Sequence, residues 1–237
     1  CDEKLADLNE KYRKKLLIDD IGYPINLETP RHTFLPQTYM AAEILLSLND
    51  PSQITALPAG MRRQSILFSR DELDVIPMNI DRYSSEKLYL ASPDIALVAF
   101  GFSHPSAIEA MKKQGIELFT TGEVTDFEDI KRLVGQIGHL ANQPLKGELL
   151  AIFMEAALNA IDNKRTLELE NTEEQRVLIV NYHTRFSLPG KKTLTSAFIK
   201  RMGLQAQLEL NSQLGKDHDW SIPLFEEQIH TFDPTHL

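Results

Sequence analysis

Residues 84–100, SSEKLYLASPDIALVAF, restrict this chain to a narrow set of folds. IALVAF is an uninterrupted apolar run of strand length. A strand that is apolar on both sides needs cover on both faces of its sheet, as in a parallel sheet wrapped by helices. Ahead of it, Ser84 and Ser85 are positioned to cap a short helix whose first turn carries Glu86, where a negative charge suits the helix dipole. Leu88, Leu90 and Ala91 give that helix apolar contacts, and Pro93 stops it. The arrangement returns near the end as FEEQIHTFDPTHL, where Glu227 precedes Pro234 by the same interval that separates Glu86 from Pro93. One motif in two distant copies predicts two similar lobes.

The order of elements supports the same architecture. Leu16 to Ile18 and Ile25 to Leu27 flank the turn signal DDIGYP and predict a hairpin. HTFLP, residues 32–36, reads as the first core strand. Thr38 then caps a helix over 39–48, with Ala41, Ile44, Leu45 and Leu48 on one face. Strands are expected at 53–57 and 75–77, a loop at 58–63 and a helix at 66–73. Beyond the opening motif come a helix over 106–114 ended by Gly115, a strand at 116–119, and a longer helix capped by Thr125 or Asp126 with Ile130, Leu133, Val134 and Ile137 buried. Strand and helix alternate, which predicts a doubly wound parallel sheet.

Residues 144–169 differ. Leu145, Leu149, Ile152, Phe153, Ala156, Ala157, Ala160 and Ile161 recur at helical spacing over many turns. This is the longest helix expected, and it lies between the two motif copies as a stiff connector. RVLIVNY, residues 176–182, then opens the second lobe as a strand, followed by a turn at Leu188, Pro189 and Gly190 and a helix over 195–202 ended by Gly203. The expected organisation is a tether over 1–15, an N-terminal α/β lobe over 16–143, a connecting helix over 144–170 and a C-terminal α/β lobe over 171–237.

Composition excludes several classes. At 237 residues, 42% apolar and 25% charged, the chain is globular rather than disordered. A net charge of −9 argues against a nucleic-acid backbone as partner. No apolar run is long enough to span a bilayer. Cys1 is the only cysteine, so neither a disulfide framework nor a cysteine zinc site is available. Followed by DEKLADLNEKYRKK, it also matches the mature end of a bacterial lipoprotein, the plainer alternative being a leftover thiol.

Four segments together resemble the periplasmic substrate-binding proteins of ABC importers in the iron-siderophore and cobalamin (helical-backbone) class. KLLIDDIGYPINLETP is similar to that family's opening hairpin, and FLPQTYMAAEILLSLND to its first strand and helix. SSEKLYLASPDIALVAF is similar to its E-x-(I/L)…P-D motif, and IKRLVGQIGHLANQP to the helix before its connector. The resemblance implies two Rossmann-like lobes with parallel sheets joined by one long rigid helix. It also implies a second lobe incomplete at its C-terminus, because the family continues with further strands and a helix. PAGMRR departs from the family, whose corresponding loop carries small polar and aromatic residues.

By this resemblance the chain would be a monomeric, non-enzymatic importer component of the periplasm or cell envelope, with Cys1 as the candidate for a lipid anchor. It would capture a ferric siderophore, with cobalamin or haem as alternatives, and need no intrinsic cofactor. It would deliver the ligand to an ABC permease in the inner (cytoplasmic) membrane. Glu86 and Glu227 would dock into arginine pockets of that permease; the plainer alternative is that each only stabilises a helix start, worth about 0.3–1 kcal/mol. An α/β enzyme on the same scaffold is the competing reading. Against it stand the missing G-x-G-x-x-G, P-loop and G-x-S-x-G patterns.

Ligands of open α/β sheets bind beyond the carboxyl ends of the strands. The loops there hold Tyr39, Arg62, Arg63, Phe102, His104, Tyr182, His183, Arg185 and Trp220. Arginines suit carboxylates and anionic chelates, and aromatic rings suit flat ligands. Each also has an ordinary role open to it: Arg62 and Arg63 as a solvated pair, Tyr39 and Trp220 as packing residues, His104 as a surface or capping residue. No metal-ligand spacing involves His32, His139, His230 or His236.

Overall fold

The computed structural model describes residues 12, 14–81, 84–101, 105–169, 176–182, 184–206 and 220–225. The chain divides into two compact units. One contains the residues through Glu123 together with Arg132–Ile152, and the other Val124–Lys131 together with Phe153–Leu237. Each is described by itself.

In the first unit, β1 (Leu16–Ile18) and β2 (Pro24–Asn26) pair antiparallel with Leu17 opposite Ile25, so one buried residue from each strand faces inward. β3 (Phe34–Pro36) leads into α1 (Tyr39–Leu48). The Thr38 side chain accepts from the Ala41 N–H, and Ala41, Ile44, Leu45 and Leu48 are buried as the spacing predicts. Lys146 donates to the Leu48 carbonyl at 3.2 Å, satisfying one of the acceptors left at that helix end.

Between 50 and 80 the chain departs from expectation. Asp50 accepts from Ser52 N–H at 2.9 Å and sets up a 3-10 turn, Pro51–Gln53, which takes only the first residue of the strand expected at 53–57. Pairing begins at Ile54 with a single bridge to Phe34, and β4 is Leu57–Pro58. The loop expected at 58–63 contains a helical turn, α2 (Met61–Gln64), entered through Gly60 at φ +88. The helix expected from Ile66 starts later, as α3 (Arg70–Asp74), because Ser69 and Glu72 form a capping box. Ile66 stays outside it and is 94% exposed. The Ile76 N–H then bonds back to Leu73 O at 3.2 Å, which moves the expected strand on to β5 (Asn79–Ile80).

α4 (Ser85–Ala91) is capped by Ser84 and ends at Ser92 in the left-handed region, φ +40. β6 (Ile95–Ala99) follows and is buried almost throughout. α5 (Pro105–Lys113) and Gly115, at φ +74, lead to β7 (Glu117–Thr121). β3 pairs with β6 and β6 with β7, all parallel. β4 pairs parallel with β5, and the bridge from Ile54 joins them to β3. Side by side the strands run β5-β4-β3-β6-β7. The core between sheet and helices is built from Leu35, Ala56, Ile80, Leu88, Ala96, Val98, Met111 and Ile116.

α6 (Phe127–Leu140) buries Leu133, Val134 and Ile137. α7 (Pro144–Leu169) has the bounds that the sequence predicts, and its 26 residues form one continuous helix. Its apolar stripe is less covered than the pattern suggests. Leu149, Ile152, Phe153 and Ile161 are all exposed, Phe153 to 70%. Periodicity identifies a face but not its cover.

The second unit differs from a single parallel sheet. The strand expected over 176–182 is two short ones, β8 (Arg176–Val177) and β9 (Asn181–Tyr182). β8 pairs parallel with β11 (Gln205–Ala206), whereas β9 pairs antiparallel with β10 (Phe186–Pro189), which pairs antiparallel with β12 (Ser221–Pro223). The chain changes sheets across Leu178, which is buried against Leu188, Ile222 and Leu224. Thr193 caps α8 (Leu194–Arg201), and Gly203 follows at φ +72. Phe127 packs on Phe198 at 6.2 Å between ring centres, and the Arg201 guanidinium lies 5.3 Å over the Phe127 ring.

Candidate functional site

In the first unit the chain leaves β3 toward β4 on one side and later returns to β6 on the other. A strand order of this kind opens a crevice at the carboxyl ends of β3 and β6. Gln37 holds the two ends together. Its N–H donates to Leu97 O at 2.9 Å, and its side-chain oxygen accepts from Ala99 N–H at 2.7 Å.

Tyr39 stands at the first position of α1, beside this crevice. Its hydroxyl donates to Ala59 O at 2.6 Å and so ties the loop after β4 to the helix after β3. A Cβ on Gly60 would lie 2.6 Å from that hydroxyl, and Gly60 has a positive φ. Two independent constraints therefore require glycine there.

The two adjacent arginines separate in role. Arg62 turns inward: Nε donates to Asn79 at 3.0 Å, one terminal nitrogen to Leu73 O and Asp74, and the other to Ile76 O at 2.6 Å. Its fork staples α2, α3 and β5. Arg63 is exposed, and its side chain has no hydrogen-bond or ion-pair partner among the described residues. Loop composition marked both arginines alike; only the three-dimensional position of the 73–79 carbonyls distinguishes them.

Two aspartates of the first hairpin act on the fold at the end of β7. Asp19 is buried, and its carboxylate accepts from the N–H groups of Ile21, Tyr23 and Thr120 at 3.1, 2.6 and 3.1 Å. Asp20 accepts from Gly122 N–H at 2.5 Å and Gln136 at 3.0 Å, and pairs with Arg132. Burial works against the Asp20 carboxylate, but Arg132, Gln136 and the Gly122 N–H outweigh it and hold its pKa below the ordinary value. Asp94 follows the same logic: burial opposes its charge, and the His32 and Thr33 N–H groups, at 2.7 and 3.0 Å, lower its pKa.

Glu86 lies in the first turn of α4 and is exposed. One turn on, Tyr89 and Leu90 are 76% and 67% exposed, so an acid and two large apolar side chains share one outward face. In the second unit Tyr182 and Arg185 are exposed, and the Tyr182 ring packs 5.0 Å from Phe186. Trp220 is half-exposed, and its carbonyl accepts from Gly190 N–H at 2.9 Å. Cys1, Phe102, His104, His183 and Glu227 lie outside the described residues. No group of three His, Cys, Asp or Glu side chains fit to hold a metal ion occurs among the described residues. No described helix is long and apolar enough to cross a membrane.

No protein-family model and no curated protein sequence matches the chain. Solved structures do. A possible iron-binding periplasmic solute-binding protein from Staphylococcus epidermidis is similar at 15% identity and TM-score 0.69, over 87% of this chain and 76% of that one. A periplasmic haem-binding protein from Pseudomonas aeruginosa is similar at 15% identity and TM-score 0.71, over 86% of this chain and 70% of that one. One from a Roseiflexus species is similar at 15% identity and TM-score 0.70, over 86% and 74%. This likeness shows the fold: the chain has the α/β fold of these periplasmic solute-binding proteins.

Proposed function

We propose that the chain is the substrate-binding component of an ABC importer, with an iron-containing chelate as its ligand. The observation that carries this reading is the strand order β5-β4-β3-β6-β7 with its crevice, found in a fold shared with periplasmic haem- and iron-binding proteins. Haem is the first ligand to test, because several of those similar proteins are described as haem-binding, and a ferric siderophore is the second. In the first unit Tyr39 offers an aromatic ring beside the crevice, and Arg63 offers a cation for ligand carboxylates. Arg62 holds the loop that presents Arg63. In the second unit Tyr182, Arg185 and Trp220 are the corresponding candidates. Phe102 and His104 remain candidates from the sequence.

The partner in this reading is a membrane permease. Glu86 meets a cationic pocket on it, with Tyr89 and Leu90 as apolar contacts, and Glu227 does the same from the other motif copy. Envelope location and a lipid on Cys1 belong to the same proposal.

The test is titration of the purified chain with haem, ferric siderophores and cobalamin, read by ligand absorbance and Trp220 quenching. Saturable binding of one iron chelate without turnover is expected. Turnover of the bound molecule, or no binding by any of them, overturns the reading.

A further inference from the structure

The first unit contains a second concavity, of about 520 Å³, in which no residue of the 36–39 or 59–63 loops takes part. It lies over the outer part of β7, between the β1–β2 hairpin and α5. That volume falls within the ~300–1,000 Å³ typical of small-molecule sites. Ile21 and Tyr23 of the hairpin, Phe100 after β6, Ile108 of α5 and Leu118 of β7 give it an apolar lining. Ile21, Tyr23 and Phe100 are large apolar groups left exposed around it.

The charges at its wall decide what it suits. Asp19 is consumed by three backbone N–H groups. Glu117 is held by Arg31, whose Nε donates to it at 2.5 Å. Lys112 is exposed and has no ion pair with any described residue; its neighbour Lys113 is the one facing Glu109. Asp19 keeps its charge but is buried under its N–H donors, so the charge open to a ligand at the exposed rim of the apolar trough is the Lys112 ammonium.

We propose that this trough binds a free amphipathic carboxylate, with its acyl chain against Ile108 and Leu118 and its carboxylate on the Lys112 ammonium. The long apolar part leaves water, while the charged end stays near solvent where Lys112 sits, so neither charge is buried at cost. The trough shares Val98 and Ala99 at the end of β6, and Phe100 and Gly101 after it, with the crevice side of the sheet, but none of the candidate ligand residues Tyr39, Arg62 and Arg63 lines it.

Calorimetric titration of the full chain with sodium dodecanoate, below its micelle concentration, should give saturable one-to-one binding. Dodecyltrimethylammonium should bind at least about fivefold more weakly, the factor that a solvent-exposed charge contact supplies. Lys112→Glu, at an exposed position that the fold does not need, should reverse that order of preference. Ile108→Trp should abolish both, with circular dichroism reporting whether it folds. Haem titration of Lys112→Glu should be unchanged, which keeps failure here separate from failure of the importer reading. No saturation with dodecanoate, equal binding of both amphiphiles, or an unaltered preference in Lys112→Glu overturns the proposal.

Discussion

Gly138 of α6 and Gly147 of α7 meet backbone to backbone: a Cβ on Gly138 would lie 3.0 Å from the Gly147 Cα, and one on Gly147 would lie 3.1 Å from the Gly138 Cα. Alanine is favoured over glycine in an isolated helix by ~1 kcal/mol, but here the added methyl has backbone on its far side. Gly138→Ala or Gly147→Ala should therefore destabilise the first unit by about 1–3 kcal/mol. Urea unfolding followed by far-ultraviolet circular dichroism measures this. A variant as stable as the parent would show that the helices separate at little cost.

Asp19→Ala removes the acceptor for three N–H groups around a buried carboxylate. The expected loss is about 2–3 kcal/mol, because buried donors are left without partners. Hydrogen exchange should locate the change at Ile21, Tyr23 and Thr120, with the other side of the sheet protected as before.

The lowered pKa of Asp20 makes stability depend on acid. A carboxyl whose folded pKa lies below its unfolded value contributes fully above the unfolded value and loses that contribution as pH falls through the folded one. Asp20→Asn should cost about 1 kcal/mol at neutral pH, allowing for solvent screening at Arg132. The gap between variant and parent should close on acidification below the ordinary aspartate range of about 4. Urea midpoints at both pH values give the comparison, and a gap that stays constant with pH would count against this pairing.

Arg62→Ala and Arg63→Ala should part company. The first removes the Arg62 donors from the Leu73 and Ile76 carbonyls and from Asp74, and should cost about 1–3 kcal/mol of stability. The second should leave thermal unfolding unchanged and weaken an anionic ligand about tenfold, as expected for a charge-assisted contact. Paired melting curves and ligand titrations separate the two effects.

Glu86→Ala should preserve ligand affinity and reduce ligand uptake through the permease, and Tyr89→Ala should do so at least as strongly, since exposed tyrosines carry much of the energy at interfaces. Reconstituted vesicles containing permease and purified chain provide the assay. Loss of ligand binding in both variants would remove α4 from the docking role.

The elements legible in the sequence were those with local causes. Thr38 starts α1, Ser84 starts α4, and the apolar spacing after Pro144 defines α7. Between 50 and 80 the signals were short and competed. Asp50 before Pro51 set a 3-10 turn that took the first residue of the strand expected at 53–57, and the Ser69/Glu72 pair, visible in the sequence, moved a helix start past Ile66. The division of 176–182 between two sheets had no local mark, since an apolar run says nothing about which neighbours pair with it. Residue type marked Tyr39, Arg62 and Arg63 alike as candidates; that Arg62 is committed to the Leu73 and Ile76 carbonyls depends on tertiary position. Leu90 was read as helix packing and is exposed, and Tyr89 carried no local mark, because exposure is a property of the assembled unit.

The two hairpin aspartates have an effect on self-association as well as on stability. Among the described residues β7 is the last strand of its sheet on that flank, and a bare rim of N–H and C=O groups recruits strands from other molecules. Asp19 and Asp20 occupy the Thr120 and Gly122 N–H groups, and the Asp20 N–H occupies Thr120 O, so an incoming strand meets carboxylates instead of vacant partners. At this rim the chain carries its own guard against edge-to-edge polymerisation.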